Sequence, residues 1–188
     1  NLSQIALPFN EILTIYTYQW CMDSRLYLNF SKCLVVTIIR KLSPINFQYN
    51  INGACIQRKD SVLDLGITFD TGLTFIFHIE SMVTKACKAY GFVYRNSKEF
   101  KQQTLKTLYF AFVRSRLEYG SIVWHPLYEV HVKNIESMQR MFLKFLSFRE
   151  DGAYPVRGCD QTDLLNRFNL GSLNARTIIF GVRFILNL

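Results

Sequence analysis

Metal-dependent phosphoryl transfer needs carboxylates close enough to hold two cations about 3.5–4 Å apart. The candidates in this chain are Asp60, Asp64 and Asp70, in the stretch DSVLDLGITFD. Asp64 and Asp70 would share one face of a regular strand, yet lie too far apart to share an ion without a bend. No metal site is therefore expected. His78, His125 and His131 stand alone and read as surface or capping residues rather than catalysts. The five cysteines are odd in number and widely spaced, with no C-x-x-C, so a zinc site is not expected and the thiols read as reduced and intracellular. Neither G-x-S-x-G, a P-loop, a dinucleotide fingerprint nor H-E-x-x-H occurs. No catalytic residue is assigned. On its own chemistry the chain reads as incomplete.

The basic residues carry a stronger signal. Lysine and arginine number 22 against 14 aspartates and glutamates, a formal charge of +8. Residues 74–149 hold 12 of the cations against 5 acids, whereas 1–73 hold 6 against 5 and 150–188 hold 4 against 4. Seven of the eight excess charges thus sit in one segment, a field suited to a polyanionic partner. The plainer alternative is a solvated helix face. Lys85 and Lys88 fall off the apolar stripe of a first helix, and Lys106 and Arg114 off that of a second. Lys133, Arg140 and Lys144, spaced seven and four apart, share a face of a third.

The elements that must position these residues follow from periodicity. At 188 residues and 49% apolar, with 16 Phe and 10 Tyr, the chain can build a sizeable core. Ile5, Phe9, Ile12, Tyr16 and Trp20 recur at helical steps. Leu34–Arg40 reads as a strand ended before Pro44. The alternating Ile45–Ile51 and the return strand Ala54–Arg58 flank a hairpin turn at Asn52-Gly53. Val62, Leu63, Leu65, Ile67 and Phe69 suggest a buried strand with a bulge at Gly66, then a turn at Asp70–Gly72. Residues 33–70 thus read as a small antiparallel sheet.

Helices are expected over Phe75–Arg95, about Gln102–Tyr119 and about Tyr128–Phe148. Their inward stripes are Ile79, Met82 or Val83, Ala86, Tyr90 and Val93; then Leu105, Leu108 or Tyr109, and Phe112; then Ile135, Met138, Phe142 and Phe145. Gly120 and Pro126 end the second, and shorter helices follow near Thr162–Phe168 and Leu173–Leu186, with Ser172 as N-cap. No signal peptide is evident, and the apolar tail TIIFGVRFILNL is too short to span a membrane, so an intracellular location in nucleus or cytoplasm, without a membrane, is expected. A start at Asn1 and a stop inside an apolar run suggest that both ends are cut.

The ordered set of LYLNFSKC, the hairpin with ING, VLDLGITFD, LTFIFHIESMVTKACKAYGFVYRNSKEF, TLKTLYFAFVRSRLEYGSIVWHP and IESMQRMFLKF resembles the end of a reverse transcriptase of non-LTR retrotransposons, of the Jockey-like LINE type. The resemblance covers roughly residues 18–186. It implies that Asn29 and Lys32 belong to the late palm motif, and that Leu65-Gly66 is the primer-grip turn. It also implies that the basic helices form the thumb, which holds an RNA template and DNA primer through phosphates rather than base edges. The family's aromatic-Ala-Asp-Asp motif would lie upstream of Trp20, and the chain has no Asp-Asp pair. Fingers and the earlier aspartate motif are missing as well, and residues 5–18 are apolar and Thr/Tyr-rich where a polar, acidic helix is usual.

The resulting expectation is an α+β chain divided into the end of a palm with its primer-grip hairpin (1–73), a basic helical thumb (74–149) and a helical extension (150–188). Mg²⁺ would serve only the complete parent polymerase, and this chain alone would be inactive. Two rivals stand beside it: a non-catalytic basic module that binds nucleic acid as it is, and a helical protein of membrane surfaces.

Overall fold

A computed structural model describes residues 12–38 and 47–187, apart from the side chains of Leu13 and Thr14. It is a mixed α+β structure of two compact units, Asn1–Leu73 and Thr74–Leu188. The expected helix from Ile5 lies outside the described residues in its first part, as do Pro44 and the adjoining ends of the two strands beside it.

In the first unit, a π-helical run Leu13–Tyr18 continues into α1 (Gln19–Asp23), with Cys21 buried. The Asn29 side chain accepts from the Ser31 amide at 3.1 Å and starts a single 3-10 turn, Phe30–Lys32. Strand β1 (Leu34–Val35) follows, and then β2 (Asn50–Ile51), β3 (Ala54–Cys55) and β4 (Gln57–Arg58). Asn52 and Gly53 both carry positive φ, 48° and 75°, and join β2 to β3 as the Asn-Gly pair requires. β1 pairs with β4 in parallel, Leu34 opposite Gln57. Among the described residues the expected single antiparallel sheet is thus three separate two-stranded ladders, one of them parallel.

The stretch from Asp60 to Asp70 departs further from expectation. It is not one buried strand with a bulge but a hairpin, β5 (Ser61–Asp64) and β6 (Ile67–Asp70), with Asp64 opposite Ile67 and Ser61 opposite Asp70. The reason is local. Leu65 and Gly66 both adopt positive φ, 45° and 82°, the signature of a two-residue type I′ turn. Ile67 is buried, while Leu63 is exposed. The turn after Asp70 forms as expected: its Oδ1 accepts from the Gly72 amide at 2.9 Å, and its carbonyl from Leu73.

The second unit is helical. α2 (Ile76–Arg95) buries Ile79, Met82, Ala86 and Val93, with Tyr90 half-buried beside them. The next helix is continuous over 102–118 but not regular. α3 (Gln102–Tyr109) passes through a π-helical segment, Phe110–Arg114, into α4 (Ser115–Glu118). Its buried residues are Leu105, Tyr109, Val113 and Leu117, each four after the last. A regular helix advances about 40° with every fourth residue and would carry such a stripe off the core. The wider π turn keeps it in place, and so Phe112, expected inside, is 48% exposed. Gly120, at φ 63°, ends this helix before the short α5 (Ser121–Trp124).

α6 (Glu129–Asp151) is the central helix, burying Ile135, Met138, Phe142 and Phe145 as its spacing predicts, and Leu143 and Leu146 besides. Tyr109 stacks on Phe142 with ring centroids 3.9 Å apart and planes 4° from parallel. Behind them Gln139, also buried, donates to the Gly171 carbonyl at 2.8 Å. α7 (Gln161–Phe168) is capped by Asp160, and α8 (Leu173–Leu186) by Ser172, whose hydroxyl accepts from Ala175. Both pack on α6. Arg167 clasps α7 to the end of α6 through Glu150 and Asp151, and this holds the Asp151 carboxyl below its ordinary range.

Candidate nucleic-acid interface

The backbone brings Leu65 and Gly66 to the tip of the β5–β6 hairpin, both exposed, Leu65 to 81%. A γ-branched side chain in the left-handed region costs roughly 1–2 kcal/mol. The position would suit Asn or Gly, so Leu65 holds an apolar side chain out at a conformational cost. Lys32 is exposed at the end of its 3-10 turn in the same unit. The ladder register sets Asp64 and Asp70 on opposite faces of the hairpin ribbon, not on one face as a single strand would. Among the described residues no group of three or more His, Cys, Asp or Glu could hold a metal ion.

The cations of the helical unit divide by how they are used. Lys106 donates to the Phe168 carbonyl at 3.0 Å and lies 5.5 Å from that ring. Arg114 sits 3.8 Å over the Phe110 ring and 3.7 Å from Glu118, and burial lowers its pKa despite that carboxylate. Glu118 is shared with Arg176, whose pKa its hydrogen bonds raise. Arg140 reaches the Cys159 carbonyl at 3.0 Å, and its Nε is buried without a hydrogen-bond partner. Lys106, Arg140 and Arg176 thus join elements of the bundle to one another, while Arg114 stays on its own helix.

Lys133, Arg140 and Lys144 do share a face of α6, but the segment that begins at Cys159 covers its middle. Glu136, on the same side of the helix, accepts from Gln161 at 3.0 Å and from the Asn174 amide at 2.8 Å. Lys133 is exposed and pairs with Glu129 at 3.1 Å, and Lys144 is half-buried. The face is therefore interrupted rather than a continuous solvated surface.

Lys85 and Lys88 stand differently. Both are exposed on α2, opposite its buried stripe, and Arg95 continues their line about two turns further on. The ion pairs among the described residues use Arg114, Lys133, Arg167 and Arg176, and none of the α2 cations. Arg95, together with the exposed Phe77 and Phe92 of the same face, was not among the candidates that charge and periodicity singled out. The signal lay in aromatic residues at positions where an amphipathic helix ordinarily places polar ones.

The histidines also differ from expectation. His78 and His131 are buried rather than at the surface, and only His125 is exposed. The His78 ring lies 5.5 Å from that of Trp124, and burial, with Lys85 nearby, lowers its pKa. Among the described residues no helix is long and apolar enough to cross a membrane. No protein-family model, curated protein or solved structure matches the chain.

Proposed function

We propose that the chain binds nucleic acid through phosphates, as the end of a non-LTR retrotransposon reverse transcriptase: the last part of the palm, its primer-grip hairpin and a basic helical thumb. The observation that carries the binding is the exposed line Lys85–Lys88–Arg95 on α2, which has no carboxylate partner among the described residues and lies in the segment holding seven of the eight excess charges. Unpaired surface cations attract a polyanion without regard to its sequence, by releasing the counterions condensed on it. The finer assignment is supported by the resemblance in the order of elements and by the Leu65-Gly66 turn, whose exposed backbone lets another chain approach closely. Lys32, Lys133 and Lys144 are further candidates for phosphate contacts. Lys106, Arg114 and Arg140 would serve in this reading mainly by holding the bundle in shape.

The test is binding of the full chain to an RNA–DNA hybrid by fluorescence anisotropy across a salt series. Affinity should fall steeply with salt and vary little with sequence. Each neutralised phosphate contributes about 0.9 to the slope for B-form DNA, so Lys85→Gln with Lys88→Gln should flatten it by about two units. An unaltered slope in the folded double variant would reduce the line to a solvated surface.

A further inference from the structure

We infer that the exposed face of α2 is a stacking platform for single-stranded nucleic acid, with Phe77 and Phe92 holding unpaired bases and Lys85, Lys88 and Arg95 the phosphates between and beside them. The inference rests on the proposed nucleic-acid binding and specifies which form of nucleic acid this face takes.

The geometry begins with the helix itself. At 100° per residue, positions 77, 85, 88, 92 and 95 fall within about 80° of one another, a narrow stripe running the length of α2. Its opposite side carries Ile79, Met82, Ala86 and Val93, all buried, so the stripe is not a second core face. Phe77 is 70% exposed and Phe92 61%. Burying a phenylalanine side chain gains roughly 1.5–3 kcal/mol, and most of that gain is forgone at these two positions. Glu80, the carboxylate of this helix, lies 60° or more off the stripe.

The stripe therefore combines two kinds of group. Fifteen residues at 1.5 Å separate the rings by about 22 Å along the axis, with the two lysines between them and the Arg95 guanidinium folded back over Gly91, beside Phe92. A duplex offers such a surface only its phosphates, because its base faces are already stacked on one another. An unpaired strand offers phosphates and base faces alike, and aromatic rings set along a cationic track are the arrangement that takes both without reading sequence. The mixed stripe favours the single strand over a membrane or an acidic protein for the same reason: rings widely separated along a helix, with cations between them, form no continuous apolar patch.

The experiment uses the full chain and three fluorescent probes: a thymidine homopolymer, the same backbone without bases, and a blunt RNA–DNA hybrid. The thymidine strand should bind about tenfold or more tightly than the abasic one, and Phe77→Ala with Phe92→Ala should remove that advantage. The same double variant should alter hybrid binding less than about twofold, since paired bases leave no free face for either ring. Both positions are exposed on a helix, where alanine is the best former, and circular dichroism checks the fold. If thymidine and abasic strands bind alike, or the double alanine variant keeps its preference, the stacking platform is wrong while phosphate binding stands. Binding of none of the three probes would overturn both readings.

Discussion

Leu65 is the residue most at odds with its own backbone. Type I′ turns favour Asn, Asp or Gly at the first central position because the Cβ of other residues crowds the following carbonyl. Leu65 takes this conformation at φ 45° with its side chain 81% exposed. Burial cannot account for the choice. Leu65→Asn should therefore raise stability, by about 0.5–1 kcal/mol, seen as a higher thermal midpoint for the first unit. If the side chain or its turn supports a bound strand, the same variant should weaken hybrid binding while it stabilises the fold. A variant less stable than the parent would show that leucine contributes contacts worth more than the strain. Gly66 offers no such latitude, since at φ 82° any side chain is strained.

Among the elements, the helices were legible in sequence and the strands only partly so. α2, α6 and α8 run within a few residues of where their apolar spacing places them, because a long stripe averages over many residues. Periodicity alone hid the β5–β6 hairpin, because a run rich in β-branched and aromatic residues reads as one strand and Leu-Gly is a weak turn signal beside Asn-Gly; the turn at Leu65-Gly66 was implied by the resemblance, not by the spacing. The parallel pairing of β1 with β4 could not be read at all, since two-residue strands carry no pattern. The helix over 102–118 failed at one point only. Its residues are helical, but the π segment moves Val113 inward and Phe112 outward. This register makes a sharp contrast: Val113→Ala should cost about 2 kcal/mol in urea denaturation, and Phe112→Ala no more than about 0.5 kcal/mol. A regular α-helix predicts the reverse order, so a larger loss at Phe112 would contradict the π turn.

Across the whole molecule, charge was legible in amount but not in use. The sequence places twelve cations in residues 74–149, and neither spacing nor composition reveals that Lys106, Arg114 and Arg140 turn toward carbonyls, a ring and a carboxylate of the bundle. Long side chains reach 6 Å or so from the backbone, and where they end depends on helices distant in sequence. What remains exposed on α2 suits binding, and binding is not catalysis. Nucleotidyl transfer of the polymerase type places two divalent cations on clustered carboxylates. Among the described residues no such cluster occurs, and Asp64 and Asp70 face opposite sides of their hairpin. Nor does the sequence contain an adjacent Asp pair. The chain alone should therefore give no template-dependent incorporation on a primed RNA template with Mg²⁺ or Mn²⁺, even under salt conditions where it binds the hybrid. Primer extension with the purified chain measures this directly. Extension that depends on the template would place the catalytic carboxylates within these 188 residues and require a metal arrangement other than the paired aspartates of the family it resembles.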